Sequence, residues 1–161
     1  MTARAGERDR ERTEAVRVRI RRLENYPAAW ALPTYATAGS AAVDLRNAGP
    51  PITLASLQRM LIPTGLAIAL PEGSEAQIRP RSGLALRQGV SIVNTPCTID
   101  SDYRGEIRIP LINLDREPQR VDHGERIAQL LVARVMRIEW EPADTLPETA
   151  RGAGGFGSTG R

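Results

Sequence analysis

The stretch Glu106-Ile-Arg-Ile-Pro-Leu-Ile-Asn-Leu114 decides the fold. Its first half alternates polar and apolar side chains, the period-two signature of a strand with one wet face. Its second half is apolar on both faces, as a strand inside a core requires. Pro110 cannot donate to a strand ladder, which predicts an edge or a bulge at that position. Working outward, Thr64-Gly-Leu-Ala-Ile-Ala-Leu70 reads as another strand, closed by a turn at Pro71-Glu-Gly73. Further strands are predicted at Ala76–Arg79, Val90–Asn94, Arg120–Val121 and, near the N-terminus, Val16-Arg-Val-Arg-Ile20. Turn residues separate these runs at intervals of about ten residues, the spacing of an all-β sandwich or barrel. A single short helix fits Leu84–Gln88. The segment Ile127–Ile138 matches a helical period only loosely, and Val132 and Val135 favour a strand.

The chain of 161 residues is long enough for one domain with a real core. Aromatics are only 4%, so the core rests on aliphatic side chains, and a stacking platform for single-stranded nucleic acid is lacking. The net charge of +3 suggests nucleic acid until the arginines are located. Many lie before residue 23, interleaved with acids as in Glu7-Arg-Asp-Arg-Glu-Arg12, which is the pattern of a solvated tail. Residues 1–14 are therefore predicted to be a disordered, charged extension, residues 15–150 the β domain, and residues 151–161 a Gly-rich tail. Cys97 stands alone, so no internal disulfide can form. With no secretory leader and no apolar run of membrane-spanning length, the expectation is a cytoplasmic protein with no nucleic-acid or membrane partner.

Several segments carry polar groups that could do chemistry. In Pro80-Arg-Ser-Gly83 the glycine permits a sharp turn that presents N–H groups, Arg81 adds a planar cation and Ser82 a hydroxyl. Such a loop holds a phosphate, although an ordinary Ser-Gly turn with a surface arginine accounts better for four residues taken alone. In Asn94-Thr-Pro-Cys-Thr-Ile-Asp-Ser-Asp-Tyr-Arg-Gly105, Asp100 and Asp102 would share a face if the segment is extended. A carboxylate near a bound phosphate can deprotonate water, and Tyr103 can stack on a sugar or base. An Asp-rich turn with a tyrosine at its edge explains the same residues. Asp44, inside Ser40-Ala-Ala-Val-Asp-Leu45, needs a hydrogen-bond partner or a cation in its apolar surroundings. Gln129 is a polar handle within Gly124-Glu-Arg-Ile-Ala-Gln129. The tail Arg151-Gly-Ala-Gly-Gly-Phe-Gly-Ser158 combines flexible glycines with the chain's one phenylalanine. A plain tail explains the glycines; a lid that orders over a polyanion also explains Phe156.

The order of these signals is more specific than any one of them. Ala42-Val-Asp-Leu-Arg46, Pro80-Arg-Ser-Gly-Leu84, Gly89 through Gly105, Gly124–Gln129 and Arg151–Ser158 resemble, in sequence order, the five motifs of the trimeric dUTP pyrophosphatase (dUTPase) family. The resemblance covers roughly residues 15–161. It implies a jelly-roll-like β subunit with a flexible C-terminal arm, a homotrimer with shared active sites, and Mg²⁺ on the substrate. The implied reaction is dUTP plus water to dUMP and pyrophosphate by attack at the α-phosphorus, which limits uracil in DNA and supplies dUMP for dTMP synthesis. By resemblance, Asp100 activates the water. Asn94 and the hairpin backbone through Thr98 and Ile99 read uracil. Tyr103 lies under the deoxyribose and leaves no room for a 2′-hydroxyl. Arg81, Ser82, Gly83 and Gln129 hold phosphates, and Asp44 acts on metal-bound water. Phe156 stacks on the base while Arg151, Gly157 and Ser158 close over the phosphates.

Two positions depart from the family pattern. Ala42 stands where glycine is common, and Cys97 stands where glycine is usual, in the base-reading hairpin. A positive φ at Cys97 would cost about 1–2 kcal/mol, its side chain would crowd the base, and an exposed thiol would be open to oxidation. Two other functions fit the same fold class. A dCTP deaminase-like enzyme needs a glutamate beyond this hairpin, where Ile109, Pro110 and Leu111 stand; Glu106 lies close to the turn. A non-catalytic nucleotide-binding regulator is the second, and an intact Asp100 and tail count against it.

Overall fold

The computed structural model describes residues 15–156 and 158. The chain is mostly β. Its strands are β1 (Arg19–Arg22), β2 (Val43–Arg46), β3 (Ile52–Leu54), β4 (Arg59–Pro63), β5 (Leu66–Ala69), β6 (Ser74–Arg79), β7 (Val90–Ile92), β8 (Cys97–Ile99), β9 (Arg108–Asn113), β10 (Gln119–Val121) and β11 (Arg126–Arg134). One helix, α1 (Ser82–Gln88), lies between β6 and β7. The pairings are antiparallel and form a four-stranded sheet β2-β11-β6-β8, a three-stranded sheet β4-β9-β7, and the pairs β1-β5 and β3-β10.

The alternation seen in the sequence becomes burial. In β9, Ile109, Leu111 and Asn113 point inward while Arg108 faces water. In β6, Ser74, Ala76 and Ile78 do the same. Ala76, Ile78, Ile109 and Leu111, together with Leu54, Ile62, Ile107, Val121 and Ile127, form the aliphatic core that the composition demanded. Each fully buried Leu, Ile or Val contributes about 1.5–3 kcal/mol of transfer free energy. Helix α1 buries only Leu84 and stops at Gly89, whose left-handed φ of 61° lets its N–H reach the Leu84 carbonyl.

Pro110 is not at an edge. β9 is the middle strand of its sheet, and Pro110 pairs with Leu61 of β4. The ladder tolerates it because its carbonyl, and so its missing N–H, faces the β7 side just past the end of that strand. There the Val93 amide still donates to the Pro110 oxygen at 3.0 Å. The predicted strand at Val90–Asn94 accordingly ends at Ile92. β11 also ends earlier than Ile138. Its pairing with β6 finishes at Arg134–Ser74, the Val135 amide bonds the Gly73 carbonyl at 3.0 Å, and Met136 and Ile138 stand exposed beyond the partner strand. β1 starts at Arg19 and runs to Arg22 rather than from Val16. Four short strands, β2, β3, β4 and β8, were not predicted from the sequence.

Two asparagines no sequence signal singled out are completely buried. Asn113 donates to the carbonyls of Leu54 and Glu117 and accepts from the Asp115 amide. Asn47 donates to the Pro50 and Asp122 carbonyls and accepts from the Gly49 amide. Both tie loops that strand ladders leave unpaired.

Candidate active site

The central sheet positions the first group of polar residues. Asp44 on β2 pairs in register with Gln129 on β11, which pairs on its other side with Arg79 at the end of β6. Arg81, two residues further on, turns back over this row, and its Nε donates to Asp44 Oδ1 at 2.9 Å. A second guanidinium, from Arg126, donates to Asp44 Oδ2 at 3.1 Å, and Arg81 also donates to the Arg126 carbonyl at 3.1 Å. Gln129 Nε2 holds the Pro80 carbonyl at 2.8 Å, fixing the start of the Pro80–Gly83 turn. The segments around residues 44, 81 and 129 thus converge at one end of the sheet, with Ser82 exposed and Gly83 half-buried at the start of α1. Arg126 is a member of this cluster that the sequence reading quoted but gave no role.

The second group lies on β8 and the turn after it. β8 is an edge strand, paired with β6 through Ile78–Cys97, Gln77–Thr98 and Ala76–Ile99. Its outer N–H and C=O groups therefore have no ladder partner within its sheet. Ile99 is turned into the core while Thr98 and Asn94 face out. Asp100 follows, exposed, and opens with Thr98 onto a cleft of about 690 Å³ that also holds Glu75, Asp102, Arg104 and Arg137. Asp100 and Asp102 are not on an extended segment: the Tyr103 amide bonds the Asp100 carbonyl at 3.1 Å, closing a turn between them. The Tyr103 hydroxyl donates to the Glu106 carbonyl at 3.0 Å.

Cys97 corrects two expectations. It lies in extended strand β8, outside the positive-φ residues, so no left-handed strain arises. Its side chain is buried in the core cluster, so the thiol is not exposed and does not project beside the outward-facing Thr98.

Glu106 is fully engaged. Its Oε1 accepts from Asn25 Nδ2 and from the Gly65 amide, each at 2.8 Å, and its Oε2 pairs with Arg108 at 2.8 Å. Burial alone would raise its pKa. The hydrogen bonds from Asn25, Arg108 and Gly65, with the Arg108 charge, outweigh burial and hold the carboxyl below the ordinary glutamate value. A carboxylate committed in this way is a structural anchor, not a proton shuttle for a base.

In the tail, Arg151 Nε bonds the Gly154 carbonyl at 2.8 Å and the Ser158 amide bonds the Gly155 carbonyl at 3.0 Å, while Phe156 is fully exposed. Gly157 lies outside the described residues.

The dUTPase family model matches residues 28–160. The chain belongs to the dUTPase family. Among dUTPase relatives, the proteins of Rickettsia felis and Rickettsia conorii named deoxyuridine 5'-triphosphate nucleotidohydrolase are each 54% identical over 144 residues, spanning 89% of this chain and 96% of theirs. The Staphylococcus bacteriophage 80alpha dUTPase with dUPNHPP superimposes with a TM-score of 0.78 at 23% identity, over 90% of this chain and 99% of that one. The dUTPase from phage phi11 of S. aureus, in a variant described for its coordination of a structural Mg(II) ion, gives a TM-score of 0.71 at 19% identity, over 82% and 99% of the two chains. At these identities the two phage structures share the dUTPase fold. Among the described residues no helix is long and apolar enough to cross a membrane.

Proposed function

We propose that this chain hydrolyses dUTP to dUMP and pyrophosphate, with Asp100 taking a proton from the water that attacks the α-phosphorus. The observation that carries the reading is the cluster Asp44–Arg81–Arg126–Gln129, assembled from three distant segments at one sheet end. Two guanidiniums that are paired but still partly exposed are ready to take a polyphosphate, and the Gln129 bond to the Pro80 carbonyl preorganises the turn that presents Ser82 and Gly83. The unpaired outer edge of β8, with Asn94 and Thr98 facing out, suits hydrogen bonding to a pyrimidine edge. A general base supplies about 10²–10⁴-fold, and positioned cations supply much of the remainder.

The distance between the two groups supports a shared site in a homotrimer. Asp44 on β2 and Asp100 beyond β8 lie at opposite edges of the four-stranded sheet, three strand spacings or about 14 Å apart. Asp100 also follows the Ile99–Ala76 pair, at the Glu75 end of β6, whereas Arg81 follows the Arg79 end, about 13 Å along the strand. One chain does not bring both to one phosphorus, and a neighbouring copy would. The tail, with Arg151, Phe156, Gly157 and Ser158, would close over the nucleotide.

Both Asp44 oxygens are occupied by guanidiniums, and the described residues contain no group of three or more His, Cys, Asp or Glu side chains fit to hold a metal. That donor set suits Mg²⁺ carried on the substrate's phosphates and keeping its waters, with Asp44 facing those waters. Bound there, Mg²⁺ would neutralise charge developing on the phosphates.

Pyrophosphate release with Mg²⁺, compared across dUTP, UTP, dTTP and dCTP, tests the reaction; no release from dUTP would overturn it. Mixing Asp100→Asn and Arg81→Ala proteins after co-refolding tests the shared site. Recovered activity in the mixture is expected, and a mixture no better than its parts would sink the intersubunit reading.

A further inference from the structure

We infer that Gly105 and Glu106 are positioning residues that pin the Tyr103 ring in place, and that this pinning, more than the ring itself, sets the discrimination against a ribose 2′-hydroxyl. The inference rests on the proposed reading of Tyr103 as the residue beneath the deoxyribose. The turn closed by the Tyr103 amide and the Asp100 carbonyl sends the ring back along its own chain. It comes to lie directly against the Gly105 Cα: a Cβ built there would overlap the Tyr103 hydroxyl oxygen and sit 2.5 Å from Cζ. Any side chain at 105 would push the ring off this seat. The hydroxyl then donates to the Glu106 carbonyl at 3.0 Å.

That acceptor is itself immobilised. The Glu106 carboxylate is held by Asn25 from the loop between β1 and β2, by the Gly65 amide from the turn before β5, and by Arg108 from β9. Three parts of the fold therefore fix the Glu106 side chain, and the Ile107 amide, in the same peptide unit as the Glu106 carbonyl, donates to the Leu66 carbonyl at 2.8 Å. The carbonyl so placed holds an otherwise half-exposed phenol. The physical need is clear. A pocket rejects an analogue that merely adds a hydroxyl only weakly unless its wall cannot yield. A tyrosine free to rotate about two side-chain bonds would yield; one seated on glycine and tethered to an anchored carbonyl would not.

The test is kcat and KM for dUTP and UTP, by pyrophosphate release from the full-length chain with Mg²⁺. Asn25→Ala and Glu106→Gln are expected to raise the UTP-to-dUTP ratio of kcat/KM by about tenfold, the size of one strong hydrogen bond. Gly105→Ala is expected to raise it further, with the KM for dUTP rising more than kcat falls. Tyr103→Phe combined with Glu106→Gln should change the ratio by less than the product of the single effects, because both act on one tether. A merely structural role would depress both substrates together and leave the ratio alone. Asn25 is exposed and remote in sequence from the hairpin, so Asn25→Ala keeps the test readable if Gly105→Ala does not fold. An active unaltered chain whose ratio is unmoved in Asn25→Ala and Glu106→Gln overturns this inference alone. An unaltered chain that releases no pyrophosphate from dUTP overturns the proposed function and this inference with it.

Discussion

Asp44 and Arg81, 37 positions apart in the chain, meet at 2.9 Å between a carboxylate oxygen and a guanidinium Nε. Each side chain keeps about a quarter of its surface in water, at 28% and 26%. The pair is therefore worth little to stability, of order 0–1 kcal/mol, and its value lies in aiming Arg81. Asp44→Asn should leave the melting temperature within a few degrees while kcat/KM for dUTP falls by about tenfold or more and its Mg²⁺ dependence weakens. Calorimetry together with pyrophosphate release over a Mg²⁺ titration checks both halves. Loss of folding with no selective loss of activity would make the pair structural.

Asp100→Asn should bind dUTP with little change yet turn over about 10²–10⁴-fold more slowly, because an amide cannot take the proton. Calorimetric titration with a non-hydrolysable dUTP analogue and single-turnover assays separate the two. Near-normal turnover would remove Asp100 from its role.

Cys97 is a core side chain in the structure, so Cys97→Gly should cost about 1–2 kcal/mol through lost packing and added backbone freedom. The KM for dUTP should stay within about twofold, since the side chain is turned into the core, on the face opposite the exposed Thr98. Thermal melting and steady-state kinetics read these separately. A large rise in KM at unchanged stability would show that the thiol is a substrate contact.

Glu106 sets a pH dependence. Its folded-state pKa lies below the ordinary value, so its stabilisation is complete above about pH 4.3 and is lost as pH falls through the lower folded value. Melting temperature should fall more steeply between about pH 5 and pH 3 in the unaltered chain than in Glu106→Gln. Parallel slopes would contradict the anchoring role.

Removing residues 151–161 should leave the melting temperature unchanged, because the tail bonds cited above are local and Phe156 is exposed. Turnover of dUTP should drop strongly, as expected for loss of a closing segment. A shortened chain with full activity would end the lid assignment.

The long strands were legible because burial on one face leaves a periodic trace, as in Ser74–Arg79 and Arg108–Asn113. β8 was not, because three residues after a proline carry too short a pattern and owe their extended form to pairing with β6. Pro110 misled for a related reason. Its own chemistry forbids a donor, but only the end of the neighbouring strand decides whether a donor is needed there. The motifs identified Asp44, Arg81, Asp100, Tyr103 and Gln129 as candidates through their order along the chain. They carried no information about Asn25, whose link to Glu106 spans 81 positions.

By itself, then, the sequence determined the aliphatic all-β class, the positions of most long elements and the family, since these follow from local periodicity and motif order. The tertiary structure decided which candidates meet. It paired Asp44 with Arg81 and Arg126, set Asp100 at the far edge of the same sheet, buried Cys97, and seated Tyr103 on Gly105. Those relations depend on which strands far apart in the chain pair and on loops crossing from distant segments, and the periodicity of a single segment reports neither.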